Sequence, residues 1–209
     1  MDDTTGFGFH EIPTTILADI LGHEQVMDAG IHPLWPTIGR TAGPAFTVRC
    51  APGDNLMLHA AIYRAAPGSV LVVEAGAADY AVAGGNVCAV AQLRGISALV
   101  VDGAIRDLAE VRASGFAVFA RGVVPVAGIK AAAAPLGQPI RCGGVVVRAG
   151  DVVVGDDDGV VVIPSDLLEQ VLPAARAKLA RETDQSLDAW QAEHRARIDT
   201  ILAEVGFTD

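Results

Sequence analysis

Residues 69–103, SVLVVEAGAADYAVAGGNVCAVAQLRGISALVVDG, carry two short apolar runs on either side of a stretch of small residues. SVLVVEA (69–75) and SALVVDG (97–103) are short and rich in β-branched valine, so each reads as a buried strand. Between them Gly84-Gly85-Asn86 opens a small-residue helix that ends near Arg94-Gly95. Strand, helix, strand predicts a parallel crossover, because parallel neighbours need a long right-handed connection.

Working outward, AFTVRC (45–50) alternates like a strand, and Pro52-Gly53-Asp54 turns it into an amphipathic helix, NLMLHAAIYRA (55–65), closed by Pro67-Gly68. Upstream, PTTILADILG (13–22) has a helix start at Thr14 or Thr15 and a stop at Gly22. Downstream, a helix from about Asp107 to Ser114 stops at Gly115, and FAVFA (116–120) follows as a third strand of the α/β units. Beyond Pro125 the character changes to short valine strands with tight turns at Ala149-Gly150-Asp151 and Asp156-Asp157-Asp158-Gly159. After Pro164 the chain is helical and charged, with Trp190, His194, Ile198 and Leu202 on one face. That tail has too little apolar surface to fold alone and is expected to pack on the core or on a neighbouring subunit. With no internal repeat, linker or composition break, residues 1–209 read as one domain.

The chain has 209 residues, 51% of them hydrophobic, enough for a well-buried core. Fifteen Lys plus Arg against 25 Asp plus Glu give a net charge of -10, which argues against unassisted binding to nucleic acid or anionic membranes. Mean hydropathy is +0.40, yet the longest uncharged stretch, Tyr80 to Leu93, is interrupted by glycines, Asn86 and Gln92 and is too short to span a bilayer. The N-terminus begins with two aspartates and lacks the basic start and apolar core of a signal peptide, so a cytoplasmic location is expected. Cys50, Cys88 and Cys142 form no metal-binding or redox spacing and are expected to be reduced and buried.

The chemistry concentrates at 84–107. Gly84 and Gly85 leave N–H groups bare at a helix start, which suits a carboxylate or phosphate. Arg106 adds a bidentate cation, and Asp107 could hold a hard divalent metal that keeps most of its water. Together they would make a site for a small metal-chelating oxoacid. The plainer alternative is that D-L-A-E (107–110) is a capping box and the glycine pair serves close packing. Asp156–Asp158 resembles a calcium loop, but flanking valine strands favour a hairpin turn. The five histidines have no metal spacing, and Lys130 reads as a surface residue of an alanine-rich loop. No dinucleotide fingerprint, Walker loop, G-x-S-x-G or H-E-x-x-H is present.

Three blocks in order, GRTAGPAFTVRCAPGDNLMLHAAIYRAAPGSVLVVEA (39–75), RGISALVVDGAIRD (94–107) and VRAGDVVVGDDDGVVVIP (147–164), carry a resemblance. Over about residues 14–182 the chain resembles the RraA-like family, which includes 4-hydroxy-4-methyl-2-oxoglutarate/4-carboxy-4-hydroxy-2-oxoadipate aldolases and the regulator of ribonuclease E activity A. The resemblance implies a layered α/β/β/α sandwich, with a core at about 14–164 and a C-terminal helical extension at about 165–209. It also implies a homotrimer or dimer of trimers with the active site between subunits.

In the aldolases that this chain resembles, Mg2+ or Mn2+ sits beside the aspartate matched by Asp107, and the arginine matched by Arg106 holds a pyruvyl unit and its enolate. Backbone amides matched by Gly85, Asn86, Val87 and Cys88 receive the substrate carboxylate. An acidic residue from a neighbouring subunit's C-terminal helix has Glu182 as its candidate here, although a solvated helix charge is the simpler reading. The family often has an acid twenty-one positions before the arginine, where this chain has Gly85, so the general base is unassigned.

Two expectations follow. One is a metal-dependent lyase that releases pyruvate from a 4-hydroxy-2-oxo di- or tricarboxylic acid, with oxaloacetate decarboxylation through the same enolate. The other is a non-catalytic regulator that binds a partner protein such as a ribonuclease. The resemblance favours the enzyme, because the ribonuclease-binding member lacks the aspartate that Asp107 supplies here.

Overall fold

The computed structural model describes residues 8–207; the first seven residues of the stretch read for an export signal lie outside them. In chain order the strands are β1 (His32–Pro33), β2 (Thr41–Arg49), β3 (Val70–Glu74), β4 (Ala81–Ala83), β5 (Ala98–Ile105), β6 (Val118–Val123), β7 (Ile140–Cys142), β8 (Val145–Val147), β9 (Val152–Asp156) and β10 (Gly159–Ile163). The helices are α1 (Thr14–Leu21), α2 (Leu56–Ala61), α3 (Gly85–Leu93), α4 (Leu108–Ser114), α5 (Leu168–Asp184) and α6 (Leu187–Glu204). The main sheet runs β1-β6-β5-β3-β2-β9-β10, with β4 on β5, and β7 and β8 form a separate hairpin. β2, β3, β5 and β6 are parallel neighbours, as the crossover pattern predicts, while β9, β10 and β1 join antiparallel.

Three apolar clusters set the layers. One face of the parallel strands, with Leu71, Val73, Leu99 and Val101, packs on Leu58 of α2, Ala91 of α3 and Val111 of α4. The other face, with Val70, Val72, Val100 and Phe119, meets Val153, Val160 and Val162 and the β7–β8 hairpin. The far side of β9–β10, with Val152, Val154 and Val161, is covered by Ile16 and Leu17 of α1 and Val171 of α5. The order is helix, sheet, sheet, helix. It explains why the β3 and β5 runs are apolar on successive residues: strands covered on both faces need no polar alternation. The two sheet layers approach closely at Gly155, where a Cβ would stand 2.6 Å from Phe119 Cζ.

Several elements differ from the sequence reading. α2 ends at Ala61 rather than 65; the turns that follow it are held by Arg94, Nε donating to the Ile62 carbonyl at 2.6 Å and Nη2 to that of Tyr63 at 3.3 Å. β4 was not expected; its three residues form a strand because they pair with the end of β5. Neither Thr14 nor Thr15 caps α1, whose N-cap is Pro13; Thr14 instead donates its N–H and hydroxyl to the buried Asp156 at 3.0 and 2.5 Å. Asp156–Gly159 is the hairpin turn between β9 and β10. Of the tail expected to pack on the core or on a neighbouring subunit, α5 packs on the core through Val171 and Ala175, whereas α6 buries none of its residues within the described chain. All three cysteines are buried and free.

Candidate active site

The register of β4 on β5 builds the site. Ala83 lies beside Ile105, so the next residues, Gly84 and Arg106, leave the sheet at the same edge, tied by Arg106 N–H to the Ala83 carbonyl at 3.0 Å. This is the carboxyl end of parallel strands, where strand ends and helix starts leave a crevice for ligands. A Cβ at Gly84 would collide with Asp107 Oδ2 and Arg106, so that glycine is needed for space rather than for its dihedral angles.

Asp107 does not make the capping box that its sequence allows. Its backbone is left-handed, φ 57° and ψ 38°, a conformation that costs a non-glycine residue on the order of 1–3 kcal/mol. Its side chain caps nothing in α4; Oδ2 instead accepts the N–H of Gly85, the first residue of α3, at 3.1 Å and sits 3.4 Å from Arg106 Nε. Asp107 Oδ1 and both terminal nitrogens of Arg106 have no partner among the described residues and face outward on side chains 37% and 44% exposed. Arg106 thus keeps a free fork for a carboxylate, and Asp107 a free oxygen for a hard cation.

The four amides expected to receive a substrate carboxylate divide in two. Gly85 N–H is committed to Asp107, and Cys88 N–H to the Gly84 carbonyl at 3.0 Å as the first bond of the helix. Those of Asn86 and Val87 make no hydrogen bond among the described residues and line the cavity, so the helix start offers two donors rather than four. Burial, reinforced by Asp107, pushes the Cys88 thiol up to about 12, which removes it as a nucleophile.

The cavity beside these groups holds about 100 Å³ and is walled by residues that sequence spacing did not single out: Asn55 and His59 of the α2 segment, and Lys130. Lys130 is exposed, as expected, yet faces Arg106 and Asp107 across the cavity. Its loop is stapled by Asp54, whose carboxylate accepts the N–H groups of Ala131 at 2.6 Å and Ala132 at 2.9 Å, and by Asn55 Nδ2 donating to the Gly128 carbonyl at 3.1 Å. Although burial works to raise the Asp54 pKa, three backbone N–H groups and Lys130 together hold it below its ordinary value. Burial, and then the charge of Lys130, lower the His59 pKa, so this wall is a neutral imidazole at pH 7. Asn55 is 4% exposed, and its Oδ1 is a buried acceptor without a partner among the described residues.

Glu182 does not reach this cavity within one chain. It pairs with Lys178 at 3.2 Å, one turn away, and lines a separate groove of about 840 Å³ between α5 and α6. That groove is the larger of the two, but its walls are the mostly exposed side chains of two charged helices, with none of the convergence seen at Arg106. Among the described residues no group of three or more His, Cys, Asp or Glu is placed to hold a metal, and no helix is long and apolar enough to cross a membrane.

Comparison with known proteins gives a consistent picture. Residues 14–162 match the profile of the RraA-like family, described as Aldolase/RraA. A protein of Halalkalibacterium halodurans provisionally named 4-hydroxy-4-methyl-2-oxoglutarate aldolase is 41% identical over 93% of this chain and 89% of its own. Among solved structures, the RNA-processing inhibitor RraA of a Thermus species is 27% identical with a TM-score of 0.66, over 73% of this chain and 92% of its own. An unusual member of the RNase ES inhibitor RraA family from Streptomyces coelicolor is 27% identical with a TM-score of 0.72, over 94% and 98%.

Proposed function

The chain belongs to the Aldolase/RraA family, and from that premise we propose that it is a divalent-metal-dependent carbon-carbon lyase. In this reading it releases pyruvate from a 4-hydroxy-2-oxo di- or tricarboxylic acid and decarboxylates oxaloacetate at the same site. The observation that carries the reading is the convergence on one strand edge of a free arginine fork, an exposed aspartate in a strained backbone and two unspent helix-start amides.

The donor set suits a hard cation that keeps most of its water, Mg2+ or Mn2+, because Asp107 brings one free carboxylate oxygen and among the described residues no group of three or more His, Cys, Asp or Glu forms a protein cage. Bound there, such an ion would supply Lewis-acid polarisation of the substrate's keto oxygen. The chain's own groups do the rest. The Arg106 fork and the amides of Asn86 and Val87 hold the 2-oxoacid carboxylate, and the guanidinium stabilises the negative charge that grows on the enolate oxygen as the C3–C4 bond breaks. Because the enolate is common to both substrates, one site serves cleavage and decarboxylation. Neutral His59 offers hydrogen bonds without adding charge, and Lys130 balances the substrate's second carboxylate. Such a site takes a small-molecule 2-oxoacid; a homotrimer, with Glu182 of a neighbouring subunit closing the site, is part of the same proposal.

The likeness to the two ribonuclease-inhibitor structures favours a second reading, a regulator that kept the fold and binds a partner protein. The test is pyruvate release from 4-hydroxy-4-methyl-2-oxoglutarate and from oxaloacetate, with Mg2+, with chelator, and with the Asp107→Ala variant. Release that needs the metal and disappears in the variant supports the lyase. Equal background in every sample, together with capture of a ribonuclease by the purified protein, supports the regulator.

A further inference from the structure

The start of α3 is touched by two carboxylates, and only one has a partner. Asp107 takes the Gly85 N–H. Glu110, in the first turn of α4, folds over the α-carbon of the same glycine: a Cβ built at Gly85 would collide with Glu110 Oε2 and lie 3.1 and 3.2 Å from its Cδ and Cβ. Gly85 is buried although Glu110 itself is exposed, so this side chain covers it. Asp54, Asp107 and Asp156 each accept backbone N–H groups, whereas Glu110 has neither a hydrogen bond nor an ion pair among the described residues. An unpaired acid is therefore lodged one residue from the Gly84 face that meets Arg106 and Asp107.

The chemistry proposed for the site, on which this inference rests, needs such a group. In the cleavage the C3–C4 bond breaks and its electron pair becomes the C2–C3 double bond of the enolate. The C4 hydroxyl loses its proton as the second carbonyl forms, and C3 must gain one to become the methyl of pyruvate. A single carboxylate that accepts the first proton and returns it to C3 closes the cycle with no net transfer. Asp107 Oδ2 is taken by a backbone donor and Arg106 and its free Oδ1 is the oxygen assigned above to the cation, while His59 stands on the α2 wall of the cavity.

We propose that Glu110 is the proton-transfer residue of this site, acting from the space that a side chain at position 85 would otherwise fill. Gly85 and Glu110 are then one device: the glycine exists so that an acid from the next helix can reach the strand edge.

The experiment follows exchange of the pyruvate methyl protons in D2O by NMR with Mg2+ present, which reads proton transfer at C3 without bond cleavage. Glu110→Gln is expected to exchange at least roughly tenfold more slowly, general acid–base groups being worth about 10²–10⁴, with an unchanged melting temperature because the side chain is exposed. Glu110→Ala is expected to fall equally, and Gly85→Asp added to it, returning a carboxylate to the vacated space, should recover at least tenfold. Independently of turnover, the Glu110 Cδ resonance of 13C-glutamate-labelled protein, identified by its loss in the Gln variant, should shift when pyruvate is added.

Wild-type exchange in Glu110→Gln, or a double variant that folds but is no faster than Glu110→Ala, overturns the assignment and leaves the lyase reading intact. Loss of exchange in His59→Gln with Glu110→Gln unaffected overturns it in favour of the histidine. A wild-type protein that neither exchanges nor cleaves overturns the lyase reading and this assignment with it.

Discussion

Asp156 and Asp107 both stand at strand ends, one closing β9 and the other two residues beyond β5, and they use their carboxylates in opposite ways. Asp156 is 8% exposed and saturated: it takes the N–H and hydroxyl of Thr14, the N–H of Asp158 at 3.1 Å and Arg40 Nε at 3.3 Å, locking α1 onto the β9–β10 hairpin. Asp107 has a side chain 37% exposed, makes one backbone bond, keeps an oxygen free and occupies a left-handed backbone. Burial with full pairing is how a carboxylate stabilises a fold; exposure with strain and an open valence is how one meets a ligand. In sequence the two are hard to separate, since D-D-D-G looks like a metal loop and D-L-A-E like a cap.

The comparison breaks most readily at Asp107. Asp107→Gly is expected to lower metal-dependent pyruvate release by about 10²–10³-fold, the usual cost of losing one stabilising group at a developing charge. Glycine adopts φ 57° freely, so the melting temperature should hold or rise slightly. A fall of several degrees alongside the activity would make Asp107 a structural cap after all. Asp156→Ala should do the reverse: it strands the Thr14 donors and Arg40, costing about 2–3 kcal/mol in a urea titration, while activity per folded molecule stays within roughly twofold. Arg106→Lys comes next, at about tenfold in kcat/KM, because a point charge replaces a planar fork; an unchanged value would show that the arginine gives charge and no geometry.

Sequence reading reached the parallel strands because the valine runs at 69–75 and 97–103 are covered on both faces and carry their signal locally. It singled out Arg106-Asp107 as a candidate because the charged pair directly follows a buried strand, with a capping box left as the plainer alternative. What it missed depended on distant partners. β4 is three small residues that pair only because β5 runs past them. Lys130, His59 and Asn55 meet Arg106 only because Asp54 and Asn55 staple the 128–132 loop across α2. Asp107's left-handed backbone leaves no mark in the string D-L-A-E, which reads the same whether or not a capping box forms. The fold of Glu110 over Gly85 is equally silent, since it joins two helices, separated in sequence by β5, that become neighbours only by packing on the same face of the sheet. The tail is legible only as helices: α6 leaves Trp190, Ile198 and Ile201 exposed, and its sequence does not say what covers them.

The smallest expected effect tests the His59 wall of the cavity by pH. The folded pKa of His59 is lowered from 6.5, first by burial and then by Lys130, so the folded protein prefers the neutral ring. The sign follows from linkage: above pH 6.5 both folded and unfolded chains carry neutral His59 and stability is unaffected. As pH falls below 6.5 the unfolded chain takes the proton first, and stability declines until the folded pKa is passed. In activity the same ordering puts any His59-dependent acid limb of kcat/KM below 6.5. Lys130→Met removes the second cause and leaves the first, so the limb should move up by less than roughly one pH unit without reaching 6.5, since burial remains. His59→Gln should abolish the limb. A limb that stays where it was in both variants would not belong to His59.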